Sequence, residues 1–298
     1  AMPELPDLEV YREALTRVAV ATELQRFDIR NPFVLRSVEP PIEEFAGRSL
    51  LKVSRLGKRL VFEFEGELFA VIHLMVAGRL RWRPPDAAIP KRGCLLAADF
   101  SGGRLLLTEA GSKRRASLHL VRDAADLAQF DRGGLEVLSS DLEAFRSAIG
   151  RERHTLKRTL TDPRILSGIG NAYSDEILHR ARLSPFKLSD TLDRREIAAL
   201  HGAVVAVLTE WTERLRAAAA ETFPDKVTAF RQQMAVHGKF NQPCPDCQSP
   251  VQRIRYATNE ANYCARCQTG GRIFADRSLS RLLKADWPKT IDELEGKA

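Results

Sequence analysis

Several things are scarce or missing in this 298-residue sequence, and each shortage excludes something. Cysteine is scarce. There are five, too few for a disulfide framework, and four of them form two close pairs late in the chain. That usage suits a reducing compartment, so a cytoplasmic protein is expected. No apolar run approaches the ~20 residues needed to span a bilayer as a helix, so no membrane association is expected. The opening AMPELPDLEV has neither a basic stretch nor an apolar one behind it, which speaks against a secretory signal. Internal repeats and low-complexity tracts are also lacking, since Ala217 to Ala220 reads as a helix end. What remains is 44% hydrophobic and 29% charged, the balance of a folded protein with real cores. The length suits about two domains. Lys plus Arg number 46 against 39 Asp plus Glu, a formal charge of +7. Such an excess is compatible with a polyanionic partner but does not by itself demand one.

Along the chain the hydrophobic period changes. Leu8, Tyr11, Leu15 and Val18 recur at helical spacing behind Asp7, which is placed to cap them. From about residue 22 to 120 the pattern becomes short alternating runs. Arg59 to Phe64 turns at Glu65-Gly66-Glu67 into Leu68 to Leu74, and Leu95 to Phe100 turns at Ser101-Gly102-Gly103 into Arg104 to Thr108. Several short strands with such turns predict a sandwich or barrel, with Cys94 as a core residue within it. Asp131-Arg132-Gly133-Gly134 reads as a linker, and the chain beyond it turns helical. Ser140 with Glu143 suggests a capping box, and Asp193 to Ala220 a long helix with Ile197, Leu200, Val204, Val207, Trp211 and Leu215 on one stripe.

Two local patterns carry chemistry. Cys244-x2-Cys247 and Cys264-x2-Cys267 stand 16 residues apart, the spacing of a hairpin between two metal-binding turns. Four thiolates make a closed tetrahedral site for one Zn2+, which is structural because no coordination position stays open. Function would then lie on what the hairpin presents: Arg253, Arg255, Asn259, Asn262 and Arg266. The second pattern is Ser167-Gly168-Ile169-Gly170-Asn171 between two helical stretches, with Asn171 placed to cap the helix Ala172 to Ala181. Bare glycine amides at a helix start can hold an anion, and Lys157 and Arg164 favour phosphate over a plain helical corner.

At the amino terminus, Pro3 to Glu9 packs three acids and two prolines into seven residues. Ala1 precedes Met2, which no natural start gives, so Ala1 reads as an added residue. Removal of both would expose a proline amine. An α-amino group titrates near pH 8, so part of it is an uncharged nucleophile at neutrality. It can attack an electrophilic sugar carbon to form an iminium ion, with Glu4 as proton donor. A proline-kinked lead into a helix cap is the competing reading, as a solvated turn is for Gly57-Lys58.

Together these pieces resemble the formamidopyrimidine-DNA glycosylase/endonuclease VIII family over about residues 2 to 268. The carrying motifs are Met2-Pro3-Glu4-Leu5-Pro6, Gly57-Lys58, Ile72-His73-Leu74 with Ala77-Gly78, Gly168-Ile169-Gly170-Asn171 and the four-cysteine finger. The resemblance implies an α+β multidomain protein: a β-sandwich with an amino-terminal helix over 1–130, then a helix–two-turns–helix domain over 135–235. A zinc finger over 236–270 and a tail over 271–298 complete it. It implies base-excision repair by a monomeric glycosylase and lyase in the bacterial cytoplasm, at the nucleoid, with DNA held in a cleft between two lobes. Pro3 would be the nucleophile, Glu4 the general acid and Lys58 a catalytic, phosphate-facing lysine. His73, Met75, Val76, Arg114, Arg115, Lys157, Gly170, Asn171, Arg253, Arg255 and Asn259 would meet DNA, and Zn2+ would sit on Cys244, Cys247, Cys264 and Cys267.

The sequence also departs from the family. Val76 falls where a methionine usually fills the emptied base stack, with Met75 beside it. The stretch Arg114-Arg115-Ala116 lacks the usual aromatic wedge. Asn259 replaces a phosphate-clamping arginine, and Thr222 to Phe230 is short where relatives carry a loop over the flipped base. These changes suggest weak reading of the opposite base and a preference for single-stranded or unusual lesions. Two other readings compete: a damaged-DNA-binding protein that has lost its chemistry, and a zinc-ribbon RNA-binding or ribosome-associated protein. The β segment ahead of the helices counts against the latter. In the tail, Asp276 to Ala285 predicts a short helix with Leu279, Leu282 and Leu283 on one face.

Overall fold

A computed structural model describes residues 2–111, 113–225, 227, 228, 230–256, 259–274 and 288–296. The chain forms two compact units: residues 1–132 with 211–229, and residues 133–210 with 230–298. The helix Arg194–Ala219 therefore contributes residues to both, and the finger groups with the helical unit.

In the first unit, α1 (Leu5–Ala19) is followed by eight antiparallel strands. These are β1 (Glu23–Ile29), β2 (Arg48–Leu56), β3 (Arg59–Phe64), β4 (Leu68–His73), β5 (Gly78–Arg83), β6 (Cys94–Phe100), β7 (Gly103–Glu109) and β8 (Ser117–Arg122). Their order is β5-β7-β6-β1-β2-β3-β4-β8. β1 and β2 pair only at Glu23–Ser49 and Leu24–Arg48, so the sheet bends at this narrow join into two halves that face each other as a sandwich. Alternation sends Leu24, Phe62, Phe64, Leu68, Leu96, Phe100 and Leu105 into one shared core. Leu8, Tyr11 and Leu15 of α1 join it, all fully buried. Cys94 is buried as the sequence indicates, 6% exposed.

The second unit contains α2 (Leu142–Ile149), α3 (Leu156–Thr161), α4 (Asn171–Arg180), most of α5 (Arg194–Ala219), and the hairpin β9 (Gln252–Arg255) and β10 (Glu260–Tyr263). Two caps differ from the sequence reading. Asp141, not Ser140, caps α2 by accepting the Ala144 N–H at 2.8 Å. Gly170 is the N-cap of α4, and Asn171 is its first helical residue. The tail segment 288–296 packs back on the finger. Ile291 is fully buried, and Arg266 donates to Asp292 at 2.8 Å. The helix expected over Asp276–Ala285 lies outside the described residues. No described helix is long and apolar enough to cross a membrane.

Candidate functional site

Pro6 near the start of α1 costs nothing, because the first amides of a helix have no intrahelical acceptor. Glu4 is the N-cap, and Asp7, expected there, sits three residues on. The two are locked reciprocally. The Glu4 N–H donates to Asp7 Oδ2 at 3.0 Å, and the Glu4 carboxylate accepts the Asp7 N–H. Both are buried, 2% and 3% exposed, and Pro3 is buried directly ahead of them. Arg55, on β2, ties this turn to the next piece. Its Nε–H donates to Glu9 Oε1 at 2.8 Å, and its Nη1–H to the Gly57 carbonyl at 2.9 Å. Gly57, at φ +60°, opens the two-residue turn between Leu56 and Arg59 that carries half-buried Lys58. One guanidinium thus fixes the Lys58 turn against the first turns of α1.

The turn between β4 and β5 is equally specified. The Gly78 N–H donates to the Leu74 carbonyl at 2.9 Å, and a Cβ at position 78 would lie 2.3 Å from that oxygen. His73 Nδ1 accepts the Met75 N–H at 2.9 Å, which leaves the ring proton on Nε2. Burial, reinforced by Arg59, Lys58 and His119, pushes His73 down to about 4. At neutral pH it is an uncharged donor among cations, suited to phosphate or a base edge. Met75 is held at φ 51°, strained for a residue with a side chain, and Val76 projects, 51% exposed. On the loop before β8, Glu109 Oε2 accepts the N–H groups of Arg115 (2.8 Å) and Ala116 (3.0 Å). Ala116 is buried in the sandwich core, so Arg114 and Arg115 are the exposed members of that stretch.

In the second unit the structure redistributes the expected phosphate ligands. Lys157 is buried, its Nζ donating to Asp175 Oδ1 at 2.6 Å and to the Asn171 carbonyl at 2.7 Å. Its charge is spent inside the fold, so it positions the Gly168–Asn171 turn rather than facing solvent. Arg164 is likewise engaged, by Asp162 at 2.7 Å. Gly170 is buried and Asn171 half-buried. Asp175, fully buried, also accepts from His237 Nδ1 (2.8 Å) and Asn262 Nδ2 (3.1 Å). Its neighbour Glu176 accepts the N–H groups of Ala235, Val236 and His237 at 2.7 to 2.9 Å. Consecutive carboxylates on α4 therefore clamp the segment entering the finger and one of its strands. Sequence spacing gives no hint of this, because the partners lie about 60 to 90 positions on.

On the finger, Arg255 and Asn259 are exposed at the hairpin tip beside Tyr256, which is 52% exposed and was not singled out from sequence. Arg253 stacks over Phe240 at 4.3 Å. Asn262 is buried and Arg266 is paired, so neither belongs to the presenting surface. The sulfurs of Cys244, Cys247, Cys264 and Cys267 lie within 4.8 Å of one another. Two of the separations are 3.3 and 3.9 Å, and a tetrahedron with ~2.3 Å zinc–sulfur arms has edges of about 3.8 Å. Burial pushes the Cys267 thiol up to about 12. The donor set fits zinc. His179 on α4 reaches Cys244 Sγ at 3.3 Å, an outer contact that orients the ligand.

Comparison with known proteins gives a consistent answer. The family model for the formamidopyrimidine-DNA glycosylase N-terminal domain matches residues 2–115, and that for the formamidopyrimidine-DNA glycosylase H2TH domain matches residues 134–220. A formamidopyrimidine-DNA glycosylase of Thermus thermophilus is 33% identical over 281 residues, covering 91% of this chain and 100% of its own. A Mycobacterium tuberculosis protein, described as an uncharacterized formamidopyrimidine-DNA glycosylase-like protein, is 41% identical over 130 residues, 43% of this chain and 80% of its own. Among solved structures, a Lactococcus lactis Fpg variant complexed with Fapy-dG-containing DNA matches at TM-score 0.79 and 25% identity, over 90% of this chain and 100% of that one. The Lactococcus lactis Fpg complex with DNA containing an abasic site matches at TM-score 0.79 and 24% identity, over 89% and 99%.

Proposed function

Because the chain belongs to the formamidopyrimidine-DNA glycosylase family, we propose that this DNA-repair glycosylase and lyase works through an amino-terminal proline. In the proposed course, the uncharged Pro3 nitrogen attacks C1′ of a damaged nucleotide. The bond from C1′ to the base breaks, and the base leaves with a proton. The nitrogen lone pair then opens the C1′–O4′ bond, Glu4 delivers a proton to O4′, and an iminium ion remains. Loss of a C2′ proton expels the 3′ phosphate, a second elimination expels the 5′ phosphate, and water releases the sugar fragment. The damaged base must leave the stack for C1′ to be reached.

The observation that carries this reading is the reciprocal Glu4–Asp7 lock directly behind Pro3, with the Lys58 turn tied to the same helix by Arg55. It holds an acid next to the nucleophile without relying on a flexible terminus. Lys58 and neutral His73 are proposed to take phosphates flanking the lesion, with Asn171, Arg255 and Asn259 on the second unit as further backbone contacts. The four cysteines are proposed to hold one structural Zn2+ that keeps the hairpin tip in shape and takes no part in bond breaking.

Borohydride trapping on an abasic oligonucleotide tests the chemistry. A chain beginning at Pro3 should form a covalent adduct. One that keeps residues before Pro3 should form none, because its proline nitrogen is an amide. Equal trapping by both would assign the reaction to another amine and sink the proposal. The exposed Val76, in place of a longer plug, supports weak interrogation of the opposite base. A strong preference for duplex over single-stranded lesion DNA would contradict that part.

A further inference from the structure

The first unit displays an aromatic ring that its own fold does not use. Phe33 is 72% exposed, yet the turn that carries it is firmly held. Pro32 fixes the backbone ahead of it, and the Asn31 side chain accepts the Phe33 N–H at 3.1 Å. On the entering side, the N–H groups of Arg30 and Asn31 both donate to the Leu95 carbonyl. On the leaving side, Val34 is buried in the core and the Arg36 N–H donates to the Leu118 carbonyl at 2.9 Å. Leu118 belongs to β8, and the loop that leads into β8 carries Arg114. The sheet itself therefore brings residues 31–36 and 114 together.

They line an open concavity of about 430 Å³ whose walls are Asn31, Phe33, Arg36 and Arg114. No carboxylate lines it, and among the described residues neither guanidinium has an acidic partner. Exposed phenyl, two uncompensated arginines and a pinned backbone are the elements of a stacking platform with a phosphate grip. A base inside an intact duplex has both faces covered by its neighbours, so only an unpaired base can offer one to Phe33.

We propose that Phe33, Arg36 and Arg114 form a subsite for an unpaired nucleotide of the bound DNA, with the base stacked on Phe33 and the adjoining phosphates on the two arginines. The inference rests on the DNA-binding reading above, and it places the missing aromatic of the Arg114 loop on a neighbouring turn. Fluorescence anisotropy with short labelled oligothymidine and with an undamaged duplex tests it. Phe33→Ala should weaken single-strand binding roughly 5- to 150-fold, the range expected for one lost base stack, and leave duplex binding within about twofold. Phe33→Trp should restore single-strand binding. Removing both arginines as Arg36→Gln with Arg114→Gln should flatten the salt dependence by about 0.7 per phosphate lost. Because the ring is exposed, the alanine variant should unfold at the wild-type temperature, which checks the scaffold. Wild-type single-strand affinity in Phe33→Ala, or equal weakening toward both polymers, overturns the proposal. Binding is read without excision: a protein that binds but never crosslinks refutes the proline chemistry and leaves this subsite to be judged separately.

Discussion

Loss of Asp175 should cost the second unit heavily. The residue is fully buried and satisfies three donors at once: Lys157 at 2.6 Å, His237 at 2.8 Å and Asn262 at 3.1 Å. In Asp175→Ala the Lys157 ammonium, whose side chain is 11% exposed, keeps only the Asn171 carbonyl as partner. Removing one member of a buried ion pair costs about 3–5 kcal/mol, because the remaining charge is stranded in low dielectric. Asn262 retains Glu260 at 3.0 Å, so most of the loss comes from Lys157, with a smaller part from His237. Denaturant unfolding of the zinc-loaded protein, followed by circular dichroism, would read the change in the helical unit. The pairing logic makes a sharper demand of Lys157→Met combined with Asp175→Ala. With the stranded cation gone, the double variant should recover about 2 kcal/mol of the single-variant loss. A loss below about 1 kcal/mol in Asp175→Ala, or a double variant no better than the single, would refute the account.

Three further outcomes are expected. His73 titrates near 4 in the folded chain against about 6.5 unfolded. As pH falls through 6.5 the unfolded chain takes up that proton first, so stability drops between about pH 6.5 and 4, by at most about 3.5 kcal/mol. His73→Gln should flatten the upper part of this slope, and an unchanged slope would exclude His73 as its source. Cys247→Ser should lose the bound metal, since binding and folding of such a module are coupled; a chelator assay finding one full zinc equivalent in the variant would contradict the four-ligand site. Gly78→Ala places a methyl 2.3 Å from the Leu74 oxygen and 3.0 Å from Ala116, which overpacking data set at about 1–3 kcal/mol of thermal stability; a neutral result would mean the turn can re-form.

The features legible in the sequence are those set by short range. The strand at Arg59–Phe64 and its Glu65-Gly66-Glu67 turn follow from alternation and glycine, and the long helix 194–219 from its stripe. The four cysteines converge as their spacing demands. Caps slip by a residue or three, as at Asp7, Ser140 and Asn171, because several neighbouring polar groups compete for the same free amides and the geometry of the entering chain decides. Lys157 and Arg266 read as phosphate ligands because a cation in a string of letters shows no partner. Asp175 and Asp292 supply those partners from 18 and 26 positions away. Arg55 was invisible as a tie between helix and turn for the same reason, and Phe33 as a display residue because exposure of an aromatic is decided by the packing of everything around it.

The carboxylate of Glu109 gathers the amides of residues 115 and 116, so the point where the chain re-enters the sandwich is dictated from the strand before the excursion, not by the excursion's own length. A change of length between Glu109 and Arg115 should therefore leave β8 in register, because the anchoring amides lie beyond it.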